Sequence, residues 1–442
     1  IPIDAESVMA TTTTAKSSDP AVRPSQEFLD RLIDGYGPRD FTVRFWDGTT
    51  RGPDTGHDSR FTLVLNHAGA VKRMFTPPVQ LAIGEAYVFN DYDIEGDLEA
   101  YWDLIDHWVL FRTRAKLTDL VKLRWQIFRL PGGGPERTGW QAPELSGEEH
   151  NQKRDAQANT YHYGISNEFY SLFLDDRMLY TTSYVRDPKN DLNQAQLDKL
   201  DHVCKKLRLK PGERMLDIGC GWGALAMHAA SKYGANVMGV TVTPQQKEWA
   251  DRLIKERGLG DRCRVELMDY RAIEEPEGFD KISAIGCMEH IGEVMLQTYF
   301  HQAWRLLKPG GVFLNHAIAR GGTIPRMTKQ NFISKYVFPD AQLEPINKAL
   351  ALAEEAGFEV RDVECLREHY ITTLRHWLRR FDENIDRIRQ LTNDVVIRIY
   401  RFYLTASIYA FKSGRASHYQ TLLLKQQRRP SGLPLTRDDW YR

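Results

Sequence analysis

Apolar and polar positions alternate with a period of two from Phe41 to Trp46 and again from Arg60 to Leu65. The Asp47-Gly48 pair and a Gly/Pro/Asp stretch separate the two runs, so this region predicts short strands joined by turns. From Leu98 to Leu130 the spacing becomes helical: Trp102, Ile105, Trp108 and Val109, then Leu117, Leu120, Val121 and Leu123, recur every three or four residues. Pro131-Gly-Gly-Gly-Pro135 and the polar residues up to Glu149 break both periods and predict a linker. Beyond about Arg154, short apolar runs alternate with helix-length patterns. The runs are Arg214–Ile218, Asn236–Thr241, Arg264–Met268, Lys281–Ile285 and Gly311–Asn315. Strands separated by helices predict a parallel sheet with helices on both faces. The expected organisation is a disordered leader over residues 1–24, a smaller α+β N-terminal domain over 25–130, a linker over 131–150 and an α/β domain over 151–442.

Composition narrows the classes. The 442 residues carry 59 basic and 59 acidic side chains, with 42% hydrophobic and 27% charged residues, which suits a globular chain with a sizeable core. A balanced charge argues against a dedicated nucleic-acid binder. No window approaches the ~18 uninterrupted apolar residues of a membrane span, so lipid contact is expected to be peripheral. The 5 cysteines include no C-x-x-C pair, which points to a reducing, cytoplasmic setting without a disulfide framework or a metal site. Cys220 and Cys287 are read as small packing residues. Ile1 to Pro24 lacks the charged and apolar regions of a signal peptide.

The sharpest local motif is Leu216-Asp217-Ile218-Gly219-Cys220-Gly221-Trp222-Gly223. A strand ends near Asp217 and runs into glycines, which let the backbone turn sharply and approach a ligand where a Cβ would collide. The spacing D-x-G-x-G-x-G differs from the dinucleotide fingerprint G-x-G-x-x-G, which favours a nucleoside without a pyrophosphate. Thr241 and Gln246 follow the next strand and can hydrogen-bond a ribose diol without adding charge. Asp269-Tyr270-Arg271 closes the third strand, where it can flank a base by polar contact and stacking.

Asp217 to Gly223, Cys287-Met-Glu289-His290-Ile-Gly292, Leu306-Leu-Lys-Pro-Gly-Gly311 and Tyr161-His-Tyr-Gly-Ile-Ser-Asn167 together resemble the cyclopropane fatty acid synthase family, which includes mycolic acid cyclopropane synthases. The resemblance covers roughly Gln157 to Gln426. It implies a Rossmann-like class I methyltransferase sheet and S-adenosylmethionine-dependent methylation of unsaturated phospholipid acyl chains. It also implies that Tyr180, Thr181, Asp217, Gly219, Gly221, Thr241, Gln246, Asp269, Tyr270 and Arg271 hold the methyl donor. The family holds a bicarbonate ion beside the reacting methyl, and its cage maps to Thr182, Glu289, His316, the backbone around Ile318, and Tyr370. Glu289, His316, Tyr370, Thr182 and His290 are the implied catalytic set. One position departs from the family pattern: Thr182 stands where the family commonly has cysteine.

A double bond is a poor nucleophile, and its attack on a sulfonium methyl leaves a carbocation. The protein must position the partners, exclude water and stabilise positive charge, which aromatic faces can do. Tyr161, Tyr163, Phe169, Tyr180, Tyr336 and Tyr370 are the aromatic candidates. Proton loss then gives a cyclopropane or a methylene branch, and a methyl branch requires a separate reductase. Acyl chains lie in bilayers, and the stretch Phe111–Arg129 combines basic residues with an apolar stripe suited to an anionic membrane face. The arginine-rich stretch from Leu374 to Leu391 is a second candidate, and the leading domain offers a surface for a homodimer or higher oligomer. The expected enzyme is cytoplasmic and works at the inner membrane face. Two other readings remain open: a small-molecule N-methyltransferase of the same fold, and a lipid-binding scaffold that has lost catalysis.

Overall fold

The structure, a computed structural model, describes residues 19–114, 117–140, 143–324, 331–427 and 430–441, and the side chains of residues 109–117 lie outside that description. The expected leader lies outside the described residues up to residue 18. A helix runs from Val22 to Ile33, with Val22, Phe28, Leu29 and Leu32 buried, so residues 22–24, expected within the leader, are helical. The chain divides into two compact units between Thr138 and Gly139.

In the first unit, β1 (Phe41–Arg44), β2 (Thr50–Arg51), β3 (Phe61–Leu65) and β4 (Tyr92–Gly96) form one sheet in the order β2-β1-β3-β4. Both alternating runs become β1 and β3, which pair in parallel, with Phe41, Val43, Phe61, Leu63 and Leu65 on the buried parity. The sequence did not signal β4, whose Tyr92 and Ile94 are buried but whose end is polar and exposed. Helices Leu98–Arg114 and Leu117–Arg129 fall within the predicted helical stretch. Asp91, wholly buried, accepts from Arg73 and Arg137 at 2.7 Å each and meets His67 at 3.0 Å. This cluster ties residue 137 to the unit, inside the stretch expected to be linker.

The second unit holds a seven-stranded sheet ordered β10-β11-β9-β8-β5-β6-β7. Its strands are β5 (Arg214–Ile218), β6 (Asn236–Thr241), β7 (Cys263–Leu267), β8 (Phe279–Ile285), β9 (Leu307–Arg320), β10 (Phe358–Cys365) and β11 (Ala416–Lys425). β5 to β9 pair in parallel, as the alternation of strands and helices predicts. The last two strands differ: β11 runs antiparallel to β9, and β10 antiparallel to β11.

Consecutive strand residues point to opposite faces, and they enter different cores. Met215 and Val237 join residues of the helices Leu192–Leu207, Ala224–Tyr233 and Pro244–Glu256. Leu216 and Met238 join the helices Leu296–Leu306 and Ile346–Glu355. Both faces are therefore covered, which leaves the carboxyl ends of the parallel strands as the place for a ligand. Among the described residues no helix is long and apolar enough to cross a membrane.

Candidate functional site

The carboxyl ends of β5, β6, β7 and β8 and the segments after them bring Asp217, Gly219, Gly221, Thr241, Gln246, Asp269–Arg271 and Glu289 to one end of the sheet. His316 and Ile318 lie within β9, and Tyr180, Thr181, Thr182 and Tyr370 come from other segments. After β5, Gly219, Gly221 and Gly223 have φ of 69°, 54° and 80°. L side chains rarely adopt that region, so the turn needs glycine for its backbone shape as well as for ligand approach. Asp217 is 2% exposed and accepts a hydrogen bond from Ser283 Oγ at 2.6 Å. Burial pushes its carboxyl up to about 6, against the opposing pull of Ser283 and Lys199.

Thr241 Oγ1 donates to Gln246 Oε1 at 2.7 Å, so the two candidate ribose partners hold each other across the start of the helix Pro244–Glu256. Asp269 accepts from the Arg271 backbone N–H at 2.9 Å and from its guanidinium at 2.8 and 2.6 Å. Arg271 also reaches Asp155 at 2.8 Å and the His150 carbonyl at 2.9 Å. Its guanidinium is thus committed to the protein, and Tyr270 packs edge-on against Tyr299 with ring centres 5.6 Å apart.

The segment Met178–Tyr184 is held by the helix Leu192–Leu207. Gln196 Nε2 donates to the Thr181 carbonyl at 2.8 Å, and Lys199 Nζ donates to Thr181 Oγ1 at 3.1 Å. Sequence reading missed both residues. Gln196 and Lys199 are 0% exposed on the face that also buries Ala195, Leu200 and Val203, and as single polar positions in an apolar helix face they carry no sequence signal of their own. Burial lowers the Lys199 ammonium to about 8 even with Asp175 and Asp217 nearby.

Tyr180 stacks on His162 with ring centres 5.6 Å apart and packs on Tyr170 at 5.4 Å and Trp377 at 5.1 Å. Tyr163 meets Tyr180 at 6.2 Å and Trp222 at 5.9 Å, and Phe169 meets Tyr170 at 5.2 Å and Tyr400 at 4.8 Å. Four of the aromatic candidates share one cluster: Tyr163, Phe169 and Tyr180, joined by Tyr370 through Trp377, whose ring centre lies 6.0 Å from that of Tyr370 and 5.1 Å from that of Tyr180. Tyr161 and Tyr336 do not: Tyr161 accepts from Trp140 Nε1 at 2.8 Å, and Tyr336 packs on Trp140 and Phe332.

Glu289 lies on a short turn of helix, Met288–His290, after β8 and is 6% exposed. Its Oε1 accepts the Ile318 N–H at 2.6 Å, and its Oε2 is buried with no partner. Burial pushes its carboxyl up to about 7. His316 on β9 is fully buried; its Nδ1 meets Gln420 Nε2 at 3.1 Å and its Nε2 has no partner. Tyr370 packs on Phe411 at 4.6 Å and on His418 at 5.0 Å.

Thr182 is buried, and its hydroxyl donates to the Ser183 carbonyl at 3.2 Å. His290 packs on Phe338 at 5.5 Å, and burial lowers its imidazole to about 4. Glu289 and the Ile318 amide are thus joined directly, whereas His290 faces the Phe338 side. Burial raises the Cys220 and Cys287 thiols well above their ordinary range, in keeping with packing roles.

The family model described as mycolic acid cyclopropane synthetase matches residues 150–421, and a domain of unknown function matches residues 28–107. A probable fatty acid methyltransferase of Pseudomonas putida is 34% identical over 405 residues, covering 90% of this chain and 96% of its own. The cyclopropane-fatty-acyl-phospholipid synthase of Escherichia coli is 38% identical over 252 residues, covering 57% of this chain and 63% of its own. The crystal structure of mycolic acid cyclopropane synthase CmaA1 complexed with SAH and CTAB superposes with a TM-score of 0.58 at 31% identity, over 61% of this chain and 98% of that one.

Proposed function

The chain belongs to the mycolic acid cyclopropane synthetase family and is an S-adenosylmethionine-dependent methyltransferase of lipid chains, and we propose that its acceptor is the cis double bond of an unsaturated acyl chain on a phospholipid. The observation that carries this reading is the buried Glu289, with one carboxylate oxygen on the Ile318 amide and the other unpartnered, in the same unit as the cluster of Tyr163, Phe169 and Tyr180. Aromatic faces can stabilise the carbocation that an alkene becomes when it attacks the sulfonium methyl.

When bound, the donor supplies an electrophilic sulfonium methyl. The turn from Asp217 to Gly223, together with Thr241, Gln246 and the Asp269–Arg271 loop, is assigned to its nucleoside. Tyr180 and Thr181, braced by Gln196 and Lys199, are assigned to its methionine end. The aromatic cluster excludes water and faces the cation left on the acyl chain. The donor set also fits a bicarbonate-sized oxyanion, since Glu289 Oε2 and His316 Nε2 are buried polar atoms without partners. Thr182, Glu289, His316, Ile318 and Tyr370 are the residues assigned to it, and proton removal by a carbonate-like base is the chemistry such an ion supplies. Loss of a proton from the new methyl with ring closure gives a cyclopropane; a 1,2-hydride shift that moves the cation onto the methyl-bearing carbon, followed by loss of a methyl proton, gives a methylene branch, which a separate reductase would convert to a methyl branch.

Incubating the protein with labelled S-adenosylmethionine and vesicles of cis-unsaturated phospholipid, then reading the lipids by mass spectrometry and NMR, tests this reading and identifies the product. Label in the acyl chain is the expected result. Label only in soluble amines offered alongside would replace it with the N-methyltransferase reading, and donor binding with no transfer to any acceptor would favour a lapsed scaffold.

The helix Leu117–Arg129 supplies the membrane-facing part of the proposal. Val121, Trp125 and Phe128, spaced as one helical stripe, are 62%, 55% and 78% exposed. Cations rim the stripe: Lys122, Arg124 and Arg129 are exposed on the same helix, the Arg129 guanidinium lies 3.5 Å from the Trp125 ring centre, and Lys72 donates to the Phe128 and Leu130 carbonyls. A self-association on this stripe would set those cations against their own copies, while an anionic bilayer complements them. The other basic candidate is differently placed, because Arg387 pairs with Glu168, Arg389 with Asp386 and Asp394, and Arg380 donates to the Leu174 carbonyl. Wild type is expected to bind anionic vesicles in a salt-sensitive way, with the paired substitution Trp125→Ala and Phe128→Ala weakening binding at least ~10-fold. Equal binding to neutral and anionic vesicles would discard the electrostatic docking.

A further inference from the structure

β11 brings to the site two polar residues that no sequence motif had pointed to. In its antiparallel register with β9, His418 stands opposite Ile318 and Gln420 opposite His316. Directly paired residues share a sheet face, so both side chains lie on the face of His316. The same parity of β11 carries Ala416, Leu422 and Leu424, all buried. An apolar residue at position 418 would satisfy the packing at no polar cost.

Instead the strand buries an imidazole. His418 is 1% exposed, and neither of its ring nitrogens has a hydrogen-bond partner. Its ring meets that of His316 edge-on, with centres 4.2 Å apart at 83°, and that of Tyr370 at 5.0 Å and 75°. A buried polar group left unsatisfied costs about 1–3 kcal/mol, and such groups in a folded protein call for a ligand, a water or a function. Burial and the nearby Lys199 charge lower the imidazole to about 3, so the ring is neutral and carries one N–H and one free lone pair.

Two neighbours indicate what the N–H is for. Thr182, which stands where the family commonly has a cysteine, turns its hydroxyl to the Ser183 carbonyl. Ser183 is in turn bound to Thr373 Oγ1 through both its backbone N–H at 2.9 Å and its hydroxyl at 2.8 Å, which fixes that backbone. Meanwhile Gln420 Nε2 donates to His316 Nδ1, so His316 carries its own proton on the unpartnered Nε2. The Thr182 hydroxyl is thus committed to a local backbone bond, while β11 adds an imidazole against the rings of His316 and Tyr370.

We propose that His418 is a further anion-holding residue of this site: its ring N–H, beside the Nε2–H of His316, binds the same small planar oxyanion of the bicarbonate type and supplies the side-chain donor that the Thr182 hydroxyl, committed to the Ser183 carbonyl, does not. Gln420 acts on the anion indirectly, as the positioning residue that sets the His316 tautomer. The inference rests on the cage reading given under Proposed function.

The test uses the full chain saturated with S-adenosylhomocysteine and reads the binding of [13C]bicarbonate by the line width and exchange of its carbon resonance. Wild type is expected to bind. His418→Leu is expected to weaken bicarbonate at least ~10-fold, the loss of one charge-assisted hydrogen bond, while its affinity for S-adenosylhomocysteine stays within about twofold of wild type. His418→Gln, which restores an N–H donor, is expected to recover most of that loss. Bicarbonate binding by His418→Leu equal to wild type overturns the proposal, as does a His418→Gln that fails to improve on leucine, because the imidazole would then only fill space. Absence of bicarbonate binding in wild type is a different failure: it removes the cage reading itself and with it this role of His418. Retained S-adenosylhomocysteine binding shows that each variant is folded, and if the leucine variant does not fold, the glutamine variant is measured against His418→Phe.

Discussion

Two regions at the same end of the sheet differ in how their polar atoms are satisfied. At the nucleoside end, Thr241 is bonded to Gln246, Arg271 to Asp269 and Asp155, and Asp217 to Ser283. At the cage end, Glu289 Oε2, His316 Nε2, Gln420 Oε1 and both nitrogens of His418 are buried without partners. Apart from the Tyr270 hydroxyl, which is buried without a partner, a ligand entering the first region exchanges one set of hydrogen bonds for another, so most contacts are worth only the difference. A ligand entering the second region gains bonds that nothing else makes, in surroundings of low dielectric where each is strong. On the proposed assignment, binding energy for the donor is expected to be spread over many residues, while the chemistry is expected to depend on a few.

The strongest way to break this contrast is Glu289→Gln. The substitution preserves volume and leaves the nucleoside end untouched, so turnover is expected to fall ~10²–10³-fold while the affinity for S-adenosylmethionine changes by no more than about threefold. His316→Ala should show the same split. Methyl transfer from labelled donor to phospholipid vesicles, with calorimetric titration of the donor, measures both quantities. Full turnover in either variant would remove that residue from the site, and a large loss of donor affinity would show that the two regions are coupled.

Next in size is Gly219→Val. At φ 69° a β-branched side chain is strained, and even a bare Cβ would stand 3.3 Å from Cys287. The expected effect is the reverse split: donor affinity down at least ~10-fold, with turnover at saturating donor reduced less, as calorimetry and initial rates would show.

What was legible in the sequence follows the same division. The glycine turn after β5 could be read because a positive-φ run at a strand end has one common physical cause. β5, β6, β8 and β9 could be read because buried parallel strands are largely apolar runs, whereas β7, at the edge, alternates buried Cys263 and Val265 with polar residues. β10 and β11 could not: β10 has mixed polarity along an edge, with Phe358 its one buried residue, and β11 puts His418 and Gln420 where the parity calls for apolar side chains. Lys199 and Gln196 were hidden for the same reason, as single polar residues inside an otherwise apolar helix face. The helix Leu117–Arg129 shows another limit. Its periodicity predicts an apolar stripe, but the spacing alone does not say whether Trp125 and Phe128 face a core or, as here, stay exposed.

The contrast also has a pH signature. Burial holds His162 and His418 at about 3, His290 at about 4 and His316 well below its ordinary value. In the unfolded chain these rings take up protons near about 6.5. Between these limits the unfolded state binds more protons than the folded one, so stability is lost as pH falls from about 6.5 towards 4. Glu289 at about 7 and Asp217 at about 6 act in the opposite sense, since the folded state keeps their protons to higher pH than the unfolded chain does. Their contribution is fully present in acid and is lost as pH rises through those values. Asp175 and Asp382, also raised by burial, join the carboxyls, and His202, His228, His369 and His376, also lowered by burial, join the histidines. The histidines still outnumber the carboxyls, so the net expectation is a thermal midpoint that drops on acidification from pH ~6.5 to ~4.5. His418→Leu should flatten that slope by one proton, about 1.4 kcal/mol per pH unit. A slope unchanged by the substitution would mean that this imidazole already titrates in the folded state.

The smallest expected effect sharpens the account of the nucleoside end. Thr241→Val removes a hydroxyl that donates to Gln246 and accepts from the Thr243 N–H at 3.2 Å. The side chain keeps its shape, but the freed Gln246 carbonyl oxygen loses its partner. If the donor only exchanges bonds here, its affinity should fall no more than about fivefold, roughly the worth of one neutral hydrogen bond. Turnover at saturation should stay within about twofold. A loss of ~100-fold would mean that Thr241 and Gln246 open on binding and make contacts found only in the complex, so that the nucleoside end, like the cage, would depend on a few decisive bonds.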